Sequence, residues 1–325
     1  MPGLNYIDRP VLLPRELYDE AVDGIIRRNC GLPGLKAIYR FGNINSPGIS
    51  DLDLLFVFRQ DVVCTRTGLE ELPPEHKPLF THGIMALCEN QFIENEHYTL
   101  WSEHTLVWGD DTPSGIKSRT REQTDALKIQ TAVEFLLANY IDIKIQKTYG
   151  VIKLRAFLQH MKGILYDLDY LNDENAPLRP LLTDLKSSIK NWFAVKRSSD
   201  YIQKWLHSFE DVYDDYVNQT LQKHPLYLPA GNHYRIAKNM VLKNGKQLTF
   251  ERTGLLLPSA LAAFGRRYVK LQHRFNQFRV ECPLCHEAPE IVTGRFDFLK
   301  RMKAYNRVHL PNFMTITTSI TAKLI

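Results

Sequence analysis

The amino-acid sequence predicts an α+β protein, in which a small mixed sheet is followed by a mainly α-helical region with a β-hairpin. The first observation is that short apolar runs alternate with turn residues in the first third of the chain, which is typical of strands. The second is that apolar residues recur at helical spacing from Arg119 to about Leu171. This change of pattern predicts a domain boundary near Pro113-Ser114, between a core of residues 1–114 and a C-terminal region of residues 115–325.

The elements of the N-terminal region can be predicted in order. Residues 13–29 carry apolar side chains at helical spacing, and Gly and Pro residues follow directly and stop the helix. Four apolar runs have the length and composition of strands: 35–43, 51–58, 82–89 and 104–111. The turn sequence Asn-Ser-Pro-Gly at residues 45–48 separates the first two runs. A helix and a small mixed sheet are therefore expected here.

The C-terminal region is predicted to be mainly helical. Helical patterns cover residues 119–171, 181–195, 199–223 and 258–279. Asn244-Gly245 joins two β-prone runs, and this dipeptide favours the tight turn of a β-hairpin. A sub-boundary near residue 225 separates the first helices from this mixed segment.

Length and composition bound the class of protein. The chain has 325 residues, of which 44% are hydrophobic and 24% are charged, which is ordinary for a globular protein with its own core. The formal net charge of +5 permits a polyanionic partner such as a nucleotide or RNA without requiring one.

Cellular location is inferred from signals and cysteines. The N-terminal residues lack the basic and apolar regions of a secretory signal, and no apolar run is long enough to span a membrane. The five cysteines are scattered along the chain, which is typical of reduced thiols. We therefore expect a cytoplasmic protein without a membrane partner, and a homo-oligomer is compatible with the sequence.

Two acidic residues interrupt the second apolar run. Asp51 and Asp53 are two positions apart, and residues at this spacing in a strand project from the same face. Neighbouring carboxylates repel each other and are costly to desolvate, and a cation between them removes both costs. Mg²⁺ is commonly held by one or two carboxylates together with phosphate oxygens. Asp51 and Asp53 are thus candidate Mg²⁺ ligands, with a solvated pair at a strand end as the alternative.

The turn before these aspartates has the composition of a phosphate-binding loop. Gly42 allows backbone N–H groups to approach a phosphate closely. Asn43 and Ser46 can add side-chain donors, and Ser50 shapes the turn. These four residues are the candidates for binding a phosphate group.

The order of these features resembles the DNA polymerase β-like nucleotidyltransferase superfamily. In residues 41–58, FGNINSPGISDLDLLFVF, a strand end, a Gly-containing turn and a Ser-Asp-x-Asp-Leu-Leu strand follow one another. The resemblance covers about residues 10–115. It implies a small mixed sheet flanked by helices, and transfer of a nucleoside monophosphate from an NTP with one or two Mg²⁺ ions on Asp51 and Asp53. It also implies that the downstream helices help to hold the base or the acceptor.

Two positions depart from the pattern of the superfamily. Asn43 stands where the superfamily usually has Ser, and its amide can still donate to a phosphate oxygen. A third carboxylate is expected near His82-Gly83, where the chain has no acid. Glu89 is the nearest carboxylate, His82 is an alternative base or ligand, and Asp110-Asp111 follow at the end of the next run.

The Cys-x-x-Cys sequence at Cys282 and Cys285, followed by His286, is a weaker candidate site. A structural zinc site needs four ligands, usually from two such pairs. The simplest interpretation is ordinary thiols, with a metal or redox role as the alternatives.

Two further motifs suggest RNA. Arg155 and His160 have the spacing of a ribonuclease motif in helical domains that accompany small nucleotidyltransferases, but five positions on a helix do not share one face well. Residues 266–279 interleave basic residues with Tyr268, Phe275 and Phe278, which can contact phosphates and stack on bases. The alternative places these aromatic rings in the core. A second basic cluster lies at residues 117–121.

The sequence leads to one main function and two alternatives. The main one is a Mg²⁺-dependent nucleotidyltransferase that transfers a nucleoside monophosphate from an NTP to an unidentified acceptor and releases pyrophosphate. The first alternative is a nucleotide-binding or regulatory relative with weak or no turnover, because the third acid is missing. The second is an RNA-binding or RNA-cleaving protein.

Overall fold

The strands and helices below come from a computed structural model, which describes residues 4–100, 103–112, 119–195, 199–229, 231, 233–316 and 320–321. The strands are β1 (Asn5–Ile7), β2 (Leu35–Phe41), β3 (Asp53–Phe58), β4 (Met85–Cys88), β5 (His104–Gly109), β6 (Val151–Lys153), β7 (Leu226–Tyr227), β8 (His233–Ala237), β9 (Met240–Asn244), β10 (Thr249–Gly254), β11 (Asn276–Cys282) and β12 (Leu284–Cys285). The helices are α1 (Glu16–Asn29), α2 (Glu89–Tyr98), α3 (Arg121–Tyr149), α4 (Leu154–Tyr170), α5 (Arg179–Lys190), α6 (Ser199–Lys223), α7 (Arg266–Phe275) and α8 (Glu290–His309). The predicted α+β class is confirmed.

The chain forms two compact units. The first unit contains residues 11–127 and 289–317, and the second unit contains residues 1–10, 128–288 and 318–324. The boundary predicted at Pro113-Ser114, like the start of the basic cluster at residues 117–121, lies outside the described residues. None of the described helices is long and apolar enough to cross a membrane.

A four-stranded mixed sheet forms the centre of the first unit. Its strand order is β4-β3-β2-β5, with β3 and β4 parallel and the other neighbours antiparallel. Because successive side chains of a strand alternate between faces, Leu54 and Phe56 pack with α1, whereas Leu55 and Val57 pack with α2 and α8. This is why β3 is a continuous apolar run: both of its faces are buried.

Helix α8, although close to the end of the sequence, belongs to the first unit. It contacts α2 and β4, and Asn306 on it donates from Nδ2 to the carbonyl oxygen of Ala86 at 2.9 Å. The segment after α8 continues this packing, because Met314 exchanges backbone hydrogen bonds with Ile84 and Ala86 at 2.9 and 3.1 Å. The outer edge of β4 is thereby covered.

The second unit combines helices α3–α6 with a four-stranded sheet of order β10-β11-β9-β8. The helical periodicity predicted over residues 119–171 corresponds to two helices, α3 and α4, and the short strand β6 lies between them. Gly150 has a φ of +65°, which ends α3, and β6 then pairs with β1 in parallel. A β1 strand at the N-terminus supplies this partner from a distant part of the sequence.

The hairpin predicted at Asn244-Gly245 is wrong. β9 and β10 are not neighbours, since β11 lies between them, parallel to β9 and antiparallel to β10. Gly245 does not have the positive φ that the hairpin turn needs, and its amide donates to the Cys282 carbonyl at 2.9 Å. The hairpin of this sheet joins β8 to β9 instead. The helix predicted over residues 258–279 is shorter than expected, because a 3₁₀ helix covers Ser259–Phe264, α7 covers Arg266–Phe275 and β11 follows.

Candidate functional site

The register of the sheet brings the main candidate residues to one edge. β3 begins at Asp53, which faces Phe41 of β2, the last residue before the Gly42 turn. β3 and β4 are parallel, with Leu55 beside Met85. Asp53 precedes Leu55 by two residues, and Gly83 precedes Met85 by two residues. The parallel register therefore brings His82 level with the acidic pair.

Asp51, Asp53 and His82 converge. One ligand atom from each of these side chains lies within 4.8 Å of the other two. His82 Nε2 is 2.6 Å from Asp53 Oδ1, and Thr81 donates from Oγ1 to Asp51 Oδ2 at 2.5 Å. Over the part of the chain that the structure describes, no other group of three His, Cys, Asp or Glu side chains is arranged in this way.

β3 begins at Asp53, two residues after the start predicted at residue 51, so Asp51 lies in the segment just before the strand. The Leu52 amide donates to the Leu79 carbonyl at 2.9 Å, which fixes the backbone between the two aspartates.

The electrostatics of the site are set by His82. The pKa of His82 is raised to about 9, mainly by the adjacent carboxylate of Asp53, with a smaller contribution from the Gly83 carbonyl and an opposing effect of burial. Its Nδ1 lies 2.7 Å from the Gly83 oxygen, which can only accept, so Nδ1 carries a proton while Nε2 faces Asp53. At neutral pH His82 is therefore an imidazolium that balances the charge of the acidic pair.

The turn between β2 and β3 is fixed by hydrogen bonds to α1 and within itself. The hydroxyl of the buried Tyr18 accepts from the Gly48 amide at 2.9 Å and donates to the Ser50 carbonyl at 2.7 Å. The Ser50 hydroxyl accepts from the Ser46 amide at 3.2 Å. Ser50 thus shapes the turn, and the amides of Ser46 and Gly48 are engaged within the protein.

The start of the same turn is more open. Gly42 has a φ of +64°, a conformation that favours glycine, and its amide donates to the Glu103 carbonyl at 3.0 Å. Gly42 and Asn43 are exposed at the sheet edge that carries Asp53. Of the four predicted phosphate-binding residues, Asn43 therefore offers its side chain most directly to a ligand.

The structure does not bring the predicted third acids into the cluster. Glu89 begins α2, at the opposite end of β4 from His82, and forms an ion pair with Lys36. Asp111 accepts from the Tyr39 hydroxyl at 2.7 Å, and the Asp110 amide donates to the Lys36 carbonyl at 3.1 Å. Of the alternatives considered for the third position, His82 is the one that meets Asp51 and Asp53.

An open groove of ≈ 360 Å³ adjoins the cluster. Lys77 in its wall donates from Nζ to the Glu70 carbonyl at 2.9 Å. The groove offers apolar, basic and polar side chains together, and it is lined by Leu69, Glu70, Lys77, Phe80, Thr81, His82 and Gly83.

The cysteine motif shows no metal geometry. Cys282 is fully buried, and burial raises the pKa of its thiol to about 12. The Cys285 thiol donates to the Pro225 carbonyl at 3.4 Å, and His286 Nδ1 lies 3.1 Å from the Leu228 oxygen. A buried protonated thiol is neither a good nucleophile nor a ready metal ligand.

The motifs that suggested RNA are only partly arranged for it. His160 lies beside Asp142, with 4.0 Å between Nδ1 and Oδ2, and the Arg155 amide donates to the Asp8 carbonyl at 3.1 Å. Tyr268 and Phe278 are buried, as the alternative interpretation predicted, and cannot stack on bases. Phe275 is 49% exposed.

Sequence reasoning missed two residues of the site. Thr81 donates a hydrogen bond that orients Asp51. The sequence signal that could have indicated this role was its polar side chain next to His82. Met314 accepts a hydrogen bond at Sδ from the Gly83 amide at 3.2 Å, and no local pattern places it there. Met314 reaches the site only because the segment after α8 returns to β4.

Comparisons of the chain with protein-family models, curated proteins and solved structures found no match. The resemblance to the nucleotidyltransferase superfamily therefore rests on the sequence pattern of residues 41–58.

Proposed function

We propose that Asp51, Asp53 and His82 belong to the active site of a nucleotidyltransferase that depends on a divalent cation. The enzyme would transfer a nucleoside monophosphate from an NTP to an acceptor and release pyrophosphate. The observation that best supports this proposal is the convergence of the three side chains within 4.8 Å at the sheet edge that also carries the turn at residues 42–50.

The donor set fits a divalent cation. Asp51 and Asp53 provide the carboxylate oxygens that Mg²⁺ and Mn²⁺ prefer, and a neutral His82 would add a nitrogen that Mn²⁺ accepts more readily than Mg²⁺. Thr81 donates a hydrogen bond to Oδ2 of Asp51, which would leave Oδ1 as the oxygen that binds the cation. When bound, the cation would neutralise charge on the phosphates and orient the attacking and leaving oxygens.

The remaining residues would bind and orient the substrates. Asn43 and Ser46 would donate to oxygens of the triphosphate. Phe80 in the groove would contact an apolar or aromatic part of the acceptor or base. The ammonium group of Lys77 in the same groove would attract negative charge on the substrate. His82 borders the same groove, so the proposed cation ligands lie beside these substrate-binding side chains.

The proposed reaction is balanced without a further reactant. The acceptor oxygen or nitrogen forms a bond to the α-phosphorus, while the bond from this phosphorus to the pyrophosphate oxygen breaks. The acceptor proton passes to water, and pyrophosphate leaves with its charge.

A nucleotide-binding relative with little or no turnover is the second candidate function. It is favoured by the ion pair of His82 with Asp53, because a positively charged imidazole then stands where the superfamily is expected to have a third acid. The engaged amides of Ser46 and Gly48 also leave fewer donors for a phosphate. Such a protein would bind an NTP and release no pyrophosphate.

The decisive experiment measures both binding and turnover. The full chain is incubated with each of the four α-labelled NTPs and Mg²⁺ or Mn²⁺, and pyrophosphate release and the transferred label are quantified. An NTP at about 100 times its dissociation constant would add about 2.7 kcal/mol to the unfolding free energy, which a thermal shift detects.

Asp51→Asn and Asp53→Asn should each abolish turnover and the cation-dependent thermal shift. Asp19→Asn changes an exposed acid of the first unit and should leave both unchanged. A thermal shift without pyrophosphate release would support the nucleotide-binding relative. The absence of both a thermal shift and pyrophosphate release with every NTP would reject both candidates.

A further inference from the structure

Large apolar side chains lie exposed in one region of the second unit. They are between 37% and 64% exposed, and they come from the loop after β10, the 3₁₀ helix Ser259–Phe264 and α7. We call this set the apolar patch, and its members are Leu255, Leu256, Leu261, Phe264, Leu271 and Phe275. Contiguous exposed apolar surface usually marks an interaction site.

The backbone explains why the apolar patch stays exposed. Three buried polar side chains of α7 and its end capture the loop carbonyls. Tyr268 and Gln272 donate to the Leu257 oxygen, both at 3.2 Å, and Asn276 donates to the Leu255 oxygen at 2.9 Å. With these carbonyls held inward, the loop is fixed in place and its leucine side chains remain in solvent.

The segments of the apolar patch are neighbours. The Leu255 amide donates to the Phe275 carbonyl at 3.1 Å, which joins the loop to the end of α7. Leu271 and Phe275 are four residues apart on α7 and share one face. The 3₁₀ helix contacts α7 and leads into it through Gly265, with Phe264 the most exposed side chain of the set at 64%.

A basic stripe borders the apolar patch. Arg267, Lys270 and Arg274 are exposed on α7 at helical spacing, on the face next to Leu271 and Phe275. No Asp or Glu occurs between residues 252 and 280. The adjacent Arg266 differs, since its guanidinium makes a bidentate ion pair with Asp8 and its charge is already balanced.

We propose that the apolar patch and the basic stripe together dock onto an anionic lipid surface. Apolar side chains that enter the headgroup region beside Lys and Arg that contact anionic lipids are the features of interfacial helices. Nucleic acid is a poorer match, because aliphatic side chains do not stack on bases and the buried rings of Tyr268 and Phe278 are inaccessible. This proposal differs from the sequence-based expectation of no membrane partner, and it requires no spanning helix.

Vesicle co-sedimentation of the full chain tests the proposal. One set of vesicles is pure phosphatidylcholine, and the other contains one part phosphatidylserine to four parts phosphatidylcholine. We expect binding to the anionic vesicles, little binding to the neutral ones, and a loss of binding as salt is raised, because salt screens the basic stripe.

Two pairs of surface variants separate the contributions. Leu261→Ser with Phe264→Ser should remove the apolar contact, and Lys270→Glu with Arg274→Glu should lower the partition coefficient by at least about fivefold per charge, the factor that corresponds to ~1 kcal/mol. Phe135→Ser and Arg121→Glu are the matched controls, since both side chains are exposed elsewhere. Thermal unfolding establishes that each variant is folded.

Three outcomes would overturn the proposal. The first is no binding to anionic vesicles at low salt. The second is binding that the controls weaken as much as the patch variants do. The third is that the patch variants instead abolish dimerisation or the binding of a single-stranded RNA that competes with the vesicles, which would assign the surface to a second copy of the chain or to nucleic acid.

Discussion

At the scale of single residues, His82 explains how two aspartates coexist at the end of a buried strand. Asp51 and Asp53 repel each other, and the imidazolium of His82, 2.6 Å from Asp53, supplies the opposite charge. A divalent cation would satisfy the same carboxylates. The site is thus stable without a ligand and chemically suited to one.

Asp53→Asn should lower the pKa of His82 from about 9 towards its ordinary value of 6.5, because the carboxylate that raises it is removed. The measurement is an NMR titration of the His82 ring protons in cation-free protein. Asp19→Asn, which removes an acid distant in sequence, should leave the pKa of His82 unchanged. A pKa that stays near 9 in Asp53→Asn would show that another group holds the proton on His82.

Asp167 gives a separate expectation for stability. Burial raises the pKa of this carboxyl well above its ordinary value of 3.8, and the side chain is only 4% exposed. In the unfolded chain it ionises near pH 4, so its contribution to folding is full below that pH and is lost as pH rises towards the folded pKa.

Asp167→Asn should therefore raise the free energy of unfolding relative to wild type by an amount that grows from pH 4 to pH 7. Urea denaturation at a series of pH values measures this difference. Asp215→Asn, at an exposed position, is the control and should show no such trend. A stability difference between Asp167→Asn and wild type that stays constant from pH 4 to pH 7 would mean that Asp167 is charged in the folded protein.

At the scale of elements, the local sequence pattern predicted which strands and helices form better than it predicted which strands pair. The apolar run 51–58 predicted β3, and the helical spacing of residues 13–29 predicted α1. The hairpin at Asn244-Gly245 failed because β11, more than thirty residues later, enters between its two strands. Turn chemistry reports on neighbouring residues, whereas sheet order is decided by the burial of distant strands.

Gly109 tests the pairing of β2 with β5. It has a φ of +88°, and a Cβ there would lie 2.1 Å from the Lys36 carbonyl oxygen. Gly109→Ala should destabilise the first unit by more than about 2 kcal/mol, because backbone must move. Gly163→Ala is the matched control, with nothing within 4 Å of the added Cβ, and should stabilise α4 by about 0.5–1 kcal/mol. Equal effects on the thermal unfolding temperature would contradict this account.

At the scale of the whole molecule, the candidate site depends on both ends of the first unit. Asp51, Asp53 and His82 were predicted from a local motif and its order along the chain. Thr81 was not predicted, because its role depends on the geometry of a loop. Met314 was not predicted either, because it comes from the segment after α8. The sequence placed α8 in the C-terminal region, since nothing local indicates that its apolar face covers β3 and β4.

A chain of residues 1–114 should not unfold cooperatively. It would lack Phe298, Leu299 and Met302 of α8, which are fully or almost fully buried against the sheet, and each such side chain contributes about 1.5–3 kcal/mol. Circular dichroism during heating measures the transition, with the full chain as the reference. A sharp, native-like transition for residues 1–114 would show that the predicted domain is independent of α8.

The most direct test of the central claim is calorimetric titration of Mn²⁺ into the full chain with and without an NTP. The account predicts saturable binding that is lost in the Asp51→Asn/Asp53→Asn double variant, weakened in His82→Gln and unchanged in Asp19→Asn. Binding of equal affinity in wild type and the double variant, or no binding to wild type at millimolar Mn²⁺ with NTP present, would contradict a cation site at Asp51, Asp53 and His82.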